Sequence, residues 1–193
     1  MFTGYLLAQP FKRQYYKKGA VVYHPGQNPR YVYFIISGGV RMVTVNDDGK
    51  EFIQGIFKAK QYFGEPALLL QRPYLAYTIA TADTELILVN HEQFLKLLEE
   101  DRAFSMNLIE TLSNRLFYKS MMLEELGNEQ AEHRLKTLIT YLGRDLEQGA
   151  DLGVTRQALA DMSGLRVETV IRTVKKMALA GELRLNRGKI IKI

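Results

Sequence analysis

The hydrophobic repeat of this chain changes period near residue 90, and that change decides what it can fold into. Before it, short β-branched and aromatic runs recur: Val21-Val22-Tyr23, Tyr31-Val32-Tyr33-Phe34-Ile35-Ile36, Val40-Arg41-Met42-Val43-Thr44-Val45, Phe52-Ile53 and Glu85-Leu86-Ile87-Leu88-Val89. Runs of this kind read as strands. Pro25-Gly26, Gly38-Gly39 and Asn46-Asp47-Asp48-Gly49 lie between them and have hairpin chemistry. Five or more short strands at this spacing predict an antiparallel sandwich or roll.

After the change the pattern is helical. No proline or glycine occurs from Phe94 to Leu126. Ile109, Leu112, Leu116, Leu123 and Leu126 follow a 3-4-3-4 spacing, with Lys119 at the seam position left over. That predicts a long helix with a coiled-coil-like stripe. The stripe either packs on the chain's own sheet or forms the seam of a dimer. It outlasts the width of a small sheet, which favours the dimer.

The last third begins near Gly127-Asn128. Residues 129–148 read as an amphipathic helix with Leu135, Leu138, Ile139 and Leu142 on one face. Thr155 is placed to cap a short helix from Arg156 to Met162, and Ser163-Gly164 reads as a tight turn. A second helix runs from Val167 to Ala180 and stops at Gly181. Leu183-Arg184-Leu185 and Lys189-Ile190-Ile191-Lys192-Ile193 flank Asn186-Arg187-Gly188 as a small hairpin. Helix, turn, helix and hairpin make a winged helix-turn-helix. The expected architecture is α+β in three parts: an N-terminal antiparallel β-roll of jelly-roll type over 1–98, a dimerisation helix over 99–127, and the winged helix over 128–193.

Charge follows the same division. Residues 155–193 carry nine Lys/Arg against three Asp/Glu, a net of +6, whereas residues 1–154 carry 17 against 18. A cationic module on a neutral body is the footprint of a polyanion binder. With no cysteine, the chain offers no disulfide, thiolate metal site or iron–sulfur ligation. His24, His91 and His133 are too scattered for a metal cluster. Catalysis in a cupin-like barrel needs paired histidines and a carboxylate on adjacent strands, and these are missing. No Gly-rich phosphate loop or nucleophile elbow appears either. No window approaches 18 apolar residues, and Met1-Phe2-Thr3-Gly4-Tyr5-Leu6-Leu7 has no basic n-region. The expectation is a cytoplasmic, non-enzymatic protein without metal or cofactor.

Near the start of the second helix, Glu168 and Arg172 are four apart and share one face. That end of a recognition helix reaches base edges in the major groove. Arginine grips guanine O6 and N7 with two bonds and glutamate accepts from cytosine N4, each worth ~1–3 kcal/mol of discrimination. The alternative is a surface ion pair worth roughly 0.2–0.5 kcal/mol. Spacing alone leaves both open.

Thr155-Arg156-Gln157, Gly164, Glu168-Thr169-Val170 and Arg172 resemble the helix-turn-helix of the CRP/FNR transcription regulators. The similarity extends to Tyr33-Phe34-Ile35-Ile36-Ser37-Gly38, Gly49-Lys50-Glu51, Phe63-Gly64-Glu65, Ala67-Leu68-Leu69 and Asn114-Arg115-Leu116, so it covers nearly the whole chain. The resemblance implies a β-roll sensor, a dimer helix and a winged helix, in that order. It places Glu168 and Arg172 on base-reading positions, with Val167 beside them. It places Arg156 and Gln157 against phosphate, with Thr155, Arg166 and Thr169 as further phosphate candidates, and Lys175 and Arg187 are either phosphate contacts or solvated charges. Arg184 and Lys189 are either backbone contacts or solvated charges. Val167 replaces the arginine of the cyclic-AMP receptor branch and is similar to the FNR branch. A homodimer on double-stranded DNA, at a palindrome with TGA-type half-site cores, is what that implies. Arg166 stands where Ser or Thr is usual, and a lost cap costs ~1 kcal/mol. The loop Glu147-Gln148-Gly149-Ala150-Asp151 is shorter than in the cyclic-AMP receptor, so contacts to RNA polymerase, a candidate further partner, do not carry over. A remoter alternative is a winged helix that binds protein.

The effector site departs from the resemblance. Nucleotide-binding members follow Gly-Glu and a short helix with Pro-Arg-Ser/Thr-Ala, whose arginine and hydroxyl hold the phosphate. Here Gly64-Glu65 leads to Pro73-Tyr74-Leu75-Ala76, so Tyr74 replaces the arginine and Leu75 the hydroxyl. Arg72 lies two residues early, beyond Pro73. A lost charged hydrogen bond costs roughly 1.5–3 kcal/mol, which argues against cyclic AMP. Lys60 stands where the family favours glycine, which puts the local turn in question. Lys119 occupies the position that contacts the base in the cyclic-AMP receptor branch, and Ser120 keeps its neighbour's hydroxyl. Two readings stay open. In one, a small anionic effector is held by Lys119 with Tyr74 or Tyr77. In the other, Glu65 pairs with Lys119, Leu75 and Tyr74 fill the pocket, and the protein is always competent for DNA.

Overall fold

The computed structural model describes residues 10–127 and 131–193. The N-terminal heptapeptide and the first two residues of the helix expected over 129–148 lie outside them. The described chain forms two compact units, one up to Glu110 and one from Thr111.

The first unit is an eight-stranded roll of two antiparallel sheets. One sheet holds β1 (Lys12–Tyr16), β8 (Thr84–Asn90), β3 (Tyr31–Ser37) and β6 (Tyr62–Phe63), in that order. The other holds β2 (Val21–Tyr23), β7 (Tyr77–Ala80), β4 (Gly39–Val45) and β5 (Glu51–Lys58). Register decides which side chains meet. Tyr33 sits opposite Leu88 and Ile35 opposite Leu86, so all four enter one core with Tyr23, Val40, Phe63 and Tyr74. A slip of one residue would turn that set outward. The other face of β3 is also covered: Phe34 meets Tyr62 at 5.3 Å and Phe104 at 6.1 Å between ring centroids. Aromatic pairs at such distances contribute beyond their burial. Lys60 adopts φ 72, the left-handed conformation that suits glycine. For a lysine this costs roughly 1–2 kcal/mol, and its N–H still reaches the Ile35 carbonyl at 2.9 Å.

Three helices follow or interrupt the strands: α1 (Glu65–Leu70), α2 (His91–Glu100) and α3 (Arg102–Gly127). The single helix expected through Phe94–Leu126 is therefore two. Asp101 breaks it with extended backbone at φ −115 and ψ 91. Its carboxylate accepts the Phe104 N–H at 2.9 Å, an N-cap for α3. The Ser105 hydroxyl donates to the Leu98 carbonyl at 2.6 Å and ties the two helices.

The second unit continues with α4 (Ala131–Gly143), α5 (Arg156–Ser163), α6 (Val167–Leu179) and the hairpin β9 (Leu183–Asn186) with β10 (Lys189–Lys192). The α4 helix stops five residues short of the expected 148. Leu135, Leu138, Leu159, Val170, Val174, Leu183 and Ile190 are buried together as its apolar set. No described helix is long and apolar enough to cross a membrane.

Candidate functional site

The start of α6 is built by its buried stripe. Val170, Thr173, Val174 and Met177 face the unit's interior, so Glu168, Arg172 and Lys175 must face outward, and all three are exposed. Among the described residues, neither Glu168 nor Arg172 has a hydrogen-bond or ion-pair partner, so the surface ion pair is not formed. The two side chains stand one helical turn apart, both available. Arg166 precedes the helix without a capping side-chain bond, as its identity implied. Gly164, at φ 70, closes α5 and gives the tight turn.

The remaining cations divide into engaged and open. Thr155 caps α5 by accepting the Ala158 N–H at 3.0 Å. Arg156 donates to the Gly188 carbonyl in the hairpin turn, and Gln157 donates to Asp161 at 2.9 Å. These two expected phosphate contacts are thus held within the protein. Lys189 pairs with Asp151 at 3.3 Å, and Lys176 with Glu132 at 2.8 Å. Arg166, Lys175, Arg184 and Arg187 are exposed and without a partner among the described residues. Arg187 (φ 43) and Gly188 (φ 84) form the hairpin turn, which sets Arg187 at the tip of the wing. Thr169 is half-buried.

In the first unit, Gly64 takes φ 90 at the start of α1. A Cβ there would lie 3.2 Å from the Tyr31 carbonyl oxygen and from the Tyr33 ring. Glu65 follows, fully buried. Tyr74 is 5% exposed, and its ring stacks on Tyr23 at 3.6 Å and 8°. Its hydroxyl donates to the Tyr31 carbonyl at 3.3 Å. Tyr33 stacks on Phe63 at 5.1 Å. Burial pushes the Tyr33 and Tyr74 hydroxyls above the usual phenol range, so both stay neutral.

Leu75 is 84% exposed, which corrects the expectation that it helps fill the interior. Tyr74 and Ala76 are buried and Leu75 is exposed, at the bend that precedes β7. Tyr77 packs edge-on against the exposed His24 at 5.3 Å, on the outward side of its strand. Arg72 is exposed. Where the resemblance implies a phosphate-holding arginine and hydroxyl, the structure has the buried Tyr74 ring and the exposed Leu75 side chain. Tyr74→Ala is expected to destabilise the first unit by ~3–5 kcal/mol, the range for large aromatic truncation, seen as a lowered thermal midpoint. An unchanged midpoint would mean the ring is not part of the core.

On α3, Leu116 and Leu123 are 67% and 71% exposed. Ile109 and Leu126 are exposed as well, and Leu112 is half-buried. Lys119 and Ser120 are exposed beside this stripe. Loss of surrounding water, and then the charge of Arg115 one turn away, push the Lys119 ammonium below its usual pKa.

Two family models match the chain: a cyclic nucleotide-binding domain over residues 13–101 and a Crp-like helix-turn-helix domain over residues 133–193. The chain belongs to the CRP/FNR family. Its members are transcription regulators with a DNA-binding helix-turn-helix. Among CRP/FNR relatives, the Thermus thermophilus protein named cyclic AMP receptor protein is 29% identical over 182 residues, covering 93% of this chain and 83% of that one. The global nitrogen regulator of a Nostoc species is 27% identical over 177 residues, covering 88% and 77%. A solved structure of a CooA mutant from Carboxydothermus hydrogenoformans is 26% identical, covers 98% of this chain and 85% of its own, and has a TM-score of 0.81.

The CRP/FNR pattern did not point to one cluster at the C-terminal end of α3. Glu125 is buried there, 7% exposed. Its carboxylate contacts His133 Nδ1 at 2.8 Å and accepts the Thr137 hydroxyl at 2.9 Å. The His133 contact foremost holds its pKa below the usual carboxylate range. Further up, Tyr118 stacks on Tyr141 at 4.2 Å.

Proposed function

We propose that this chain is a sequence-specific regulator that binds a palindromic DNA site as a homodimer, with TGA-type half-site cores, and without gating by cyclic AMP. The observation that carries it is the exposed, unpaired Glu168 and Arg172 at the start of a helix anchored by Val170, Val174 and Met177. Arg172 takes a guanine and Glu168 a cytosine, while Val167 adds no polar contact. Arg166, Lys175 and Arg187 contact phosphate, and Arg156 and Gln157, each with one internal bond, are further phosphate contacts. The exposed leucines of α3 form the seam between two copies. One helical turn of DNA, ~34 Å, separates the two recognition helices.

Binding-site selection from random duplexes, with protein purified without any additive, tests this reading. The expected product is a palindrome with a shared half-site core, and cyclic AMP leaves both the thermal midpoint and DNA affinity unchanged. Failure to enrich any sequence would overturn it. A second reading is favoured by Lys119 and Arg115, two cations one turn apart on α3: a small anionic effector binds there and gates the protein. Weak DNA binding by bare protein that a metabolite anion restores would select the second reading over the first.

A further inference from the structure

We propose that Glu125 and Arg134 are positioning residues that fix the recognition helix relative to the dimerisation helix, and so set the half-site spacing that the dimer accepts. The inference rests on the palindromic-dimer reading above. Successive helical residues turn by about 100°, so Tyr118, Met122 and Glu125 line one face of α3. Ile109, Leu112, Leu116, Leu123 and Leu126 line another, about a third of a turn away. The first face is the one the second unit covers: Met122 and Glu125 are buried there, while Leu116 and Leu123 stay exposed.

At this face a single guanidinium joins three helices. The backbone carbonyl of Glu125 is among the last four of α3 and has no partner within its helix. It accepts Arg134 Nε at 3.0 Å. Arg134 Nη1 donates to the Ser163 carbonyl at 3.2 Å, another terminal carbonyl at the end of α5. Ser163 precedes the Gly164 turn that launches α6. A cation between two helix C-termini also meets the negative end of both dipoles. The Glu125 carboxylate clamps α4 from the other side through His133 and Thr137, so Arg134 is held where it can bridge.

The chain of bonds therefore runs from the dimerisation helix to the turn that aims the base-reading residues. Its leverage is large. With each recognition helix about 17 Å from the twofold axis, half of one helical turn of DNA, a swivel of roughly 10° moves it about 3 Å. That is nearly one base-pair step of ~3.4 Å. A joint that holds to a few degrees selects one spacer.

The test measures affinity for duplexes carrying both half-sites with the spacer varied by one and two base pairs either way. The unaltered protein is expected to prefer one spacer by ~tenfold or more over its neighbours. Arg134→Met keeps the length of the side chain and loses both donated bonds. It is expected to reduce that preference to under about threefold while leaving base preference within each half-site unchanged. Arg134→Lys reaches one carbonyl at a time and recovers part of it. Glu125→Gln loosens the spacing in the same direction by less, and serves if Arg134→Met does not fold. Circular dichroism and dimer mass report folding for each variant. Retained spacer preference in the folded variants overturns the proposal, as does loss of base preference in equal measure. A selected site with no second half-site in the unaltered protein overturns the dimer reading, and this proposal with it.

Discussion

Arg172→Ala is expected to weaken binding to the selected palindrome about thirtyfold or more, because two symmetry-related contacts worth ~1–3 kcal/mol each are lost from one dimer. The loss is specific to one base pair per half-site: wild-type protein discriminates there and the variant does not. The expectation follows from the unpaired state of the side chain, since Arg172 gives up no internal partner when it meets DNA. Titration against a panel of single-base variants checks it. Affinity that falls equally across the panel would assign Arg172 to phosphate. Lys175 and Arg187 are the contrast, expected to lower affinity evenly and to reduce the salt dependence by about one unit of slope each.

The second large effect is on assembly. Leu116→Asp combined with Leu123→Asp is expected to give a folded monomer that no longer binds the palindrome. Each leucine contributes ~1.5–3 kcal/mol when buried from full exposure. Four of them in a dimer give roughly 6–12 kcal/mol, and the aspartates add repulsion across the seam. Folding of the protomer is expected to survive, because both side chains already face solvent there. Light scattering and circular dichroism read the two outcomes separately. A variant that remains dimeric would remove the α3 stripe from the seam.

The parts of this molecule that were legible in the sequence share one property: their residues obey a period. Five of the strands between Val21 and Val89 (β2, β3, β4, β5 and β8), the α5–α6 pair and the wing hairpin follow from alternation, capping residues and turn glycines. Three strands escaped, β1, β6 and β7, the last only four residues long, Tyr77–Ala80, with bends on either side. β1 reads Lys12-Arg13-Gln14-Tyr15-Tyr16 and pairs along one edge of its sheet, and β6 has two residues. The break at Asp101 escaped for another reason. Its signal is one polar cap inside an unbroken helix-forming run, indistinguishable from a surface residue until the Phe104 N–H is seen to bond to it.

At the candidate site, identity foretold chemistry but not engagement. Arg156 and Gln157 have the residue types of phosphate contacts, yet the Gly188 carbonyl and Asp161 hold them. Only three-dimensional proximity across 32 residues reveals the first of these. Tyr74 as a replacement for arginine was legible, whereas the outward turn of Leu75 belongs to a bend before β7 that no residue type there announces. The Glu125 cluster was illegible because its partners lie on a helix eight to twelve residues on, and because its main acceptor toward Arg134 is a backbone carbonyl, which no residue type announces.

The two faces of α3 carry a thermodynamic corollary. Leu116 and Leu123 look outward, while Tyr118 and Glu125 look toward α4. Changes on the two sides have separate neighbours, so their free-energy effects should add within about 0.3–0.5 kcal/mol when combined. Association and headpiece orientation can then be tuned independently along a single rod of backbone, each drifting in evolution without disturbing the other.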